Sequence, residues 1–230
     1  MFYQGAQDVN YFDVGLQKYM RSVFNNMGLG LVLSGIISYI VGTDPQLFML
    51  FFGGPQVWLV MLAPLALVFF IGFKIQDMTP STARMWFFIY AGLTGLSLAS
   101  IFAIFKLGSI VQVFFISATM FGTTALYGYT TKKDLTNMGT FLMMGLIGVI
   151  IAGLVNIFLQ SSMLQFIISL LSVVIFVGLT AWDVQQIKSI YYDTYGDDRE
   201  RAGIMGALTL YLDFINIFVN LLQLVGERKD

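Results

Sequence analysis

Two aspartates stand out in a chain otherwise poor in charge. Asp213 lies within an apolar stretch, Gly203 to Val225, that is long enough to cross a bilayer and contains no lysine, arginine or histidine. Asp183 closes the apolar segment before it. An ionisable residue at membrane depth costs about 2.5–3.5 kcal/mol on insertion scales and by default marks a functional site. Asp183 sits about a turn and a half from the end of its predicted helix, and Asp213 about two and a half turns in from the same side. At about 1.5 Å per residue, their depths differ by roughly one turn, which helix tilt absorbs. A direct or water-bridged carboxyl pair is therefore feasible. Two such groups cannot both ionise cheaply, so they titrate as a unit and can share one proton. Without that proton, two negative charges repel each other and attract a cation, and calcium takes hard oxygen ligands of this kind. Proton and cation then compete for one site. Asp183 alone also fits a plainer role, a charge near a helix end reaching the interface beside Gln185, Gln186 and Lys188.

The neighbours of Asp213 extend the pattern. Gly206, Thr209, Asp213, Asn216, Asn220 and Gln223 follow one another at spacings of 3, 4, 3, 4 and 3, a single stripe of a helix. Lipid satisfies none of these groups, so the stripe must face protein or water. Thirteen Leu, Ile, Phe and Val residues in this helix contribute about −4 to −8 kcal/mol to insertion at best, and Asp213 alone offsets about 3. The span is marginal in isolation, which predicts a central position among the other helices. Asp183 and Asp213 are the candidate gating, proton-sensing and calcium-binding residues. Thr209, Asn216, Asn220 and Gln186 are candidates for lining or supporting a pore. A purely structural hydrogen-bonded seam is the plainer alternative.

The rest of the chain must position this pair. Of 230 residues, 57% are hydrophobic and 11% charged, against about 25% charged in soluble domains. The reading is an all-α polytopic membrane protein with one bundle and no soluble domain. Apolar runs predict seven spans at about 22–41, 57–73, 85–105, 110–129, 138–159, 164–187 and 204–225. They are separated by Thr43-Asp44-Pro45, Asp77 to Pro80, Lys106-Leu107-Gly108, Lys132-Lys133-Asp134, Gln160-Ser161-Ser162 and the charged stretch 188–201. Residues 1–20 read as a cytoplasmic segment without a signal peptide, and 226–230 as a tail. Pro64 should kink the second span or free a carbonyl. Gly145, Gly148, Ala152 and Asn156 form a small-residue stripe on the fifth span, read as plain packing.

Lysine and arginine give an orientation. With the N-terminus inside, the cytoplasmic segments hold Lys18, Arg21, Lys74, Arg84, Lys132, Lys133, Lys188, Arg199 and Arg201. The opposite side holds Lys106, Arg228 and Lys229. Seven spans then place the C-terminus outside with two discordant charges; if one run is re-entrant, the C-terminus returns inside. The chain has no cysteine and no histidine. That excludes disulfides, thiolate and imidazole metal sites, Ser–His catalysis and the usual physiological-pH switch. No basic tract suggests nucleic acid, and no resident cofactor is expected.

These residues also carry a resemblance. Trp182-Asp183-Val184-Gln185 and the segment Ala207 to Asn216 resemble the Bax-inhibitor (transmembrane Bax-inhibitor-motif) family. So do Asp134-Leu135-Thr136, the segment Met78 to Arg84, and Asp13-Val14-Gly15-Leu16 with Tyr19-Met20, the last similar to bacterial members. The resemblance implies six helices around a central seventh in a bacterial inner membrane. It also implies a pH-sensitive calcium leak controlled by a di-aspartyl pair, here Asp183 and Asp213, with Arg84 as the one candidate for a basic latch. Trp182 and Val184 depart from the usual Tyr-Asp-Thr-Gln motif, losing a phenol and a hydroxyl near the pair.

Other functions use the same residues. A proton-coupled secondary transporter would need alternating access, and no internal repeat of the kind many transporters show is evident. A membrane interaction protein modulating quality control or cell death would dock through the short loops, foremost residues 188–201. An intramembrane aspartyl protease would carry a Gly-x-Gly-Asp signature, whereas Tyr211-Leu212 precede Asp213. The expected role is a non-enzymatic calcium leak whose partners are calcium, protons and the bilayer.

Overall fold

The computed structural model describes the backbone of residues 4–229 and the side chains of 14–229. Residues 1–3, Asp230 and the side chain of Asp13 lie outside the described residues. The described chain folds as α1 (Gln4–Thr43), α2 (Pro45–Phe52), α3 (Gln56–Lys74), α4 (Pro80–Leu98), α5 (Ile101–Ile104), α6 (Leu107–Thr130), α7 (Thr136–Leu159), α8 (Ser162–Asp193) and α9 (Gly196–Val225). No strand occurs among the described residues, only an isolated bridge between Phe105 and Arg228. Seven helical segments are long and apolar enough to cross a membrane: 14–43, 56–77, 80–104, 107–130, 136–159, 162–193 and 196–225. The chain is an all-α integral membrane protein.

Local sequence explains most boundaries. Asp44 caps α2, its Oδ1 accepting from the amides of Gln46 and Leu47 at 2.8 and 3.1 Å, with Pro45 in the first turn. Thr79 caps α4 in the same way ahead of Pro80. Gln160 ends α7 in the left-handed conformation, φ 50°, and Ser161 then caps α8. Outside the spans, Asp134 accepts from the Thr136 amide at 2.9 Å. Hydrogen bonds from the Thr136 hydroxyl and amide hold its carboxyl below the usual carboxylate range.

The structure departs from the sequence reading at several ends. The first helix begins at Gln4 rather than near 22, because Leu16, Tyr19, Met20 and Val23 form a buried stripe that continues the helix. The charged stretch 188–201 is mostly helix, breaking only at Thr194-Tyr195 before Gly196 with φ 55°. α2 is an additional short helix. The third span is interrupted at Ala99-Ser100, where the Ser100 hydroxyl donates to the Ser97 carbonyl at 3.0 Å. α3 runs continuously through the buried Pro64. On the fifth span, Gly145 meets Ile175, Asn156 is buried, and Gly148 has open space.

The last helix is central, as its polar seam requires. α9 packs against α8, α1, α6 and α4, whereas α7 packs chiefly on α8. Within the membrane segments, 61% of the last is buried against 6% of the fifth. Tyr211, Leu208, Leu210, Ile217 and Leu222 are fully buried on α9. The Tyr211 hydroxyl meets Ser34 Oγ at 2.7 Å, and its ring stands edge-on to Phe87 and Tyr90 at 5.9 and 5.7 Å. The tail at the far end is bound to the loop at Lys106. The Lys106 amide donates to the Glu227 carbonyl, the Lys229 amide to the Ile104 carbonyl, and Lys106 pairs with Glu227. The Lys229 ammonium donates to the Phe102 carbonyl at 2.7 Å. The discordant C-terminal charges are thus tied down on the side of Lys106.

Two glycines fix the closest helix approaches. A Cβ on Gly95 would meet the Ser34 backbone at 2.7 Å, and one on Gly128 would strike the Ala181 carbonyl. Gly95→Ala and Gly128→Ala should each destabilise the purified protein by about 1–3 kcal/mol in thermal or denaturant unfolding. Gly148→Ala, in open space, should be neutral. Asp134→Ala should lower stability slightly at neutral pH. That difference should vanish in acid, because the carboxylate's contribution is lost as pH falls through its lowered folded-state pKa.

Candidate di-carboxyl site

The two aspartates reach each other from adjacent, tightly packed helices. Asp183 projects from α8 and Asp213 from α9, and both side chains line one cavity. Asp213 is 3% exposed, and among the described residues no N–H or hydroxyl donates to its Oδ2. Thr180 lies beside it, but its hydroxyl donates to the Phe176 carbonyl at 2.7 Å. Asp183 is only half-buried. A carboxylate that finds no donor in a low-dielectric site must keep a proton, share one or hold a cation.

Two cavities meet at Asp183. One, of 470 Å³, lies between α7, α8 and α9 and is lined by Asp183, Thr209, Asp213, Asn216 and Trp182 among apolar side chains. The other, of 510 Å³, lies toward the N-terminal end of α9 and is lined by Gln76, Asp183, Gln186, Asp198, Arg201 and Thr209. Asp183 and Thr209 are walls of both. The second cavity is the more polar of the two, and Asp183 stands in the wall they share.

The other expected residues divide. Gln186 and Asn216 line cavities with the aspartates, and Asn216 also donates to the Leu212 carbonyl at 2.8 Å. Asn220 lines neither cavity and donates to the Asn216 carbonyl at 2.9 Å, so it satisfies its own helix. Gln185 and Lys188 do not accompany Asp183. Gln185 pairs with the Leu135 amide and Lys133 carbonyl, and Lys188 donates to the Tyr129 carbonyl at 3.2 Å. Arg84 is exposed and lines a different cavity with Lys18 and Arg199. The positive charge that shares a cavity with Asp183 is Arg201, which pairs with Asp198 and donates to the Met78 carbonyl at 3.1 Å.

Sequence reasoning missed Arg201 and a polar lock at the far end of the seam. Gln223 accepts from Gln165 and from Ser169 at 3.0 Å, and Asn156 donates to Gln165 at 3.2 Å, joining α7, α8 and α9. A signal existed. Gln165, Ser169, Ser172, Thr180 and Asp183 follow at spacings of 4, 3, 8 and 3, a second polar stripe facing the first. Trp182 also lines the cavity between α7, α8 and α9, and its ring packs against Gly139, where any side chain would collide.

Comparison with known proteins agrees with this architecture. The family model described as Inhibitor of apoptosis-promoting Bax1 matches residues 16–230. An uncharacterized protein of Rickettsia prowazekii is 47% identical over 222 residues, 95% of this chain and 93% of its own length. The inner membrane protein YbhL of Escherichia coli is 41% identical over 220 residues, 94% of each chain. An uncharacterized membrane protein of Streptococcus pyogenes is 34% identical over 219 residues, 94% of this chain and 95% of its own. With the model and these relatives covering nearly its whole length, the chain belongs to the Inhibitor of apoptosis-promoting Bax1 family, the Bax-inhibitor family of membrane proteins.

Proposed function

We propose that this protein is a slow, pH-sensitive cation leak through which calcium passes, gated by the proton shared between Asp183 and Asp213. The observation that carries the reading is a buried carboxyl without a donor, facing a second carboxyl at the junction of two cavities. The naming of the Escherichia coli relative as an inner membrane protein supports residence in a bacterial inner membrane. The lysine and arginine distribution supports an N-terminus in the cytoplasm, which makes the cavity at Arg201 the cytoplasmic mouth.

The physics of the pair gives the sign. With one proton shared, the carboxyls hold α8 and α9 together across the path. When it leaves, two adjacent negative charges repel in a site of low dielectric and loosen the contact. The same charges attract a cation from the mouth. Among the described residues, no group of three or more acidic, histidine or cysteine side chains could hold a metal. Two carboxylates that each bind through one oxygen, with Thr209, Asn216 and Gln186 nearby, fall short of the six to eight oxygens calcium takes. A passing ion would keep part of its water, which suits transit better than storage. Arg201 sets a positive barrier at the mouth, softened by Asp198.

In proteoliposomes, calcium flux should rise as pH rises through the titration of the pair. Asp183→Asn and Asp213→Asn should each abolish that dependence. No flux at any pH from folded protein would refute the leak, and uptake against a calcium gradient driven by a proton gradient would indicate a transporter instead. Arg201→Gln should raise cation flux a few-fold at low ionic strength, and Asp198→Asn should lower it. Unchanged flux in both would remove Arg201 from the path.

A further inference from the structure

A second polar cavity, separate from the aspartates, lies at the same end of the bundle between α1, α4, α8 and α9. It has a volume of 330 Å³, and among the described residues its wall carries three cations, Lys18, Arg84 and Arg199, against one anion, Glu200. Among the described residues, none of the three cations forms an ion pair. Arg199 is held in place, its Nε donating to the Thr194 carbonyl at 2.8 Å and its guanidinium lying 4.1 Å from the centre of the Tyr191 ring. That leaves the other guanidinium donors for a ligand.

The independent sign is Tyr19. It is 8% exposed, lines this cavity, and its buried hydroxyl has no hydrogen-bond partner among the described residues. Its ring packs on Tyr191 at 5.3 Å, and both rings fit because residues 15 and 203 are glycine. A Cβ on Gly15 would strike the Tyr191 hydroxyl, and one on Gly203 would lie 3.0 Å from Tyr19. Buried hydroxyls are normally partnered, so this one, on a ring that lines a cationic cavity, is short of an acceptor. An anion supplies it.

We propose that this cavity binds a phosphate group, held by Lys18, Arg84 and Arg199 and by the Tyr19 hydroxyl, with Ser22 and Asn26 as further donors. Phosphate oxygens match the guanidinium fork and accept from several donors at once. The phosphate is either the headgroup of an anionic phospholipid in the adjoining leaflet or a free phosphate compound. The site lies in the cytoplasmic leaflet if the orientation above holds. It is otherwise independent of the leak, because binding is read without flux.

The test uses the full chain in detergent. Native mass spectrometry measures retention of phosphatidylglycerol against phosphatidylcholine, and thermal unfolding is followed while inorganic pyrophosphate is titrated. Arg84→Gln removes an exposed side chain with little consequence for folding, and Tyr19→Phe keeps the ring. Arg21→Gln, on the same helix as Lys18 but lining a different cavity, controls for general surface charge. Preferential phosphatidylglycerol retention that falls about tenfold in Arg84→Gln and several-fold in Tyr19→Phe, but not in Arg21→Gln, supports the site with a lipid source. Pyrophosphate stabilisation lost in the same two variants supports it with a free source. Neither ligand binding, equal loss in Arg21→Gln, or indifference to both Arg84→Gln and Tyr19→Phe overturns the proposal.

Discussion

A carboxyl group in the middle of an apolar helix cannot face lipid, and most of this architecture follows from that constraint. Asp213 has no cation within its apolar stretch, Gly203 to Val225, to neutralise it. The bundle responds by wrapping α9 in α1, α4, α6 and α8, so that the least lipid-compatible helix is the most buried. The apolar faces of α9 then do the ordinary work of packing, with Tyr211, Leu208 and Ile217 filling the interior. The polar seam divides into three parts. A hydrogen-bonded lock joins three helices at Gln223, the carboxyl pair sits in the middle, and a polar cavity opens at Thr209.

The division has consequences for motion. The lock at Gln165, Ser169 and Gln223 pairs neutral groups and is insensitive to pH across the ordinary range. In the proposed leak, the carboxyl pair is the part of the seam whose attraction becomes repulsion when a single proton leaves. A change in proton occupancy would therefore loosen the bundle at the level of Asp183 while its far end stays closed. The tail, bound to the loop at Lys106, reinforces that end.

Much of this was legible in the sequence, for identifiable reasons. Seven spans follow from apolar runs that few charges interrupt, and the central position of α9 follows from one stripe of six small or polar residues. Helix rise put Asp183 and Asp213 at similar depths, which made a pair feasible without saying which helix faces meet. What escaped depends on where helices end in water, since polar residues there do not stop a helix without proline or glycine. α8 runs on to Asp193 and α9 begins at Gly196, and that extension carries Arg201 into the cavity of Asp183. Arg84, near the start of α4, is placed instead beside Lys18 and Arg199. Such side-by-side placement of residues distant in sequence has no local signal.

The central claim is that one proton is shared by two carboxyls. Infrared difference spectroscopy of the reconstituted protein, stepped from acid to alkaline pH, observes that proton as a carboxylic-acid carbonyl band. Sharing requires one band to disappear over the pH range in which the bundle loosens, and to be absent from that range in both Asp183→Asn and Asp213→Asn. A band that persists when only one of the two aspartates remains would show independent titration. It would contradict the shared proton.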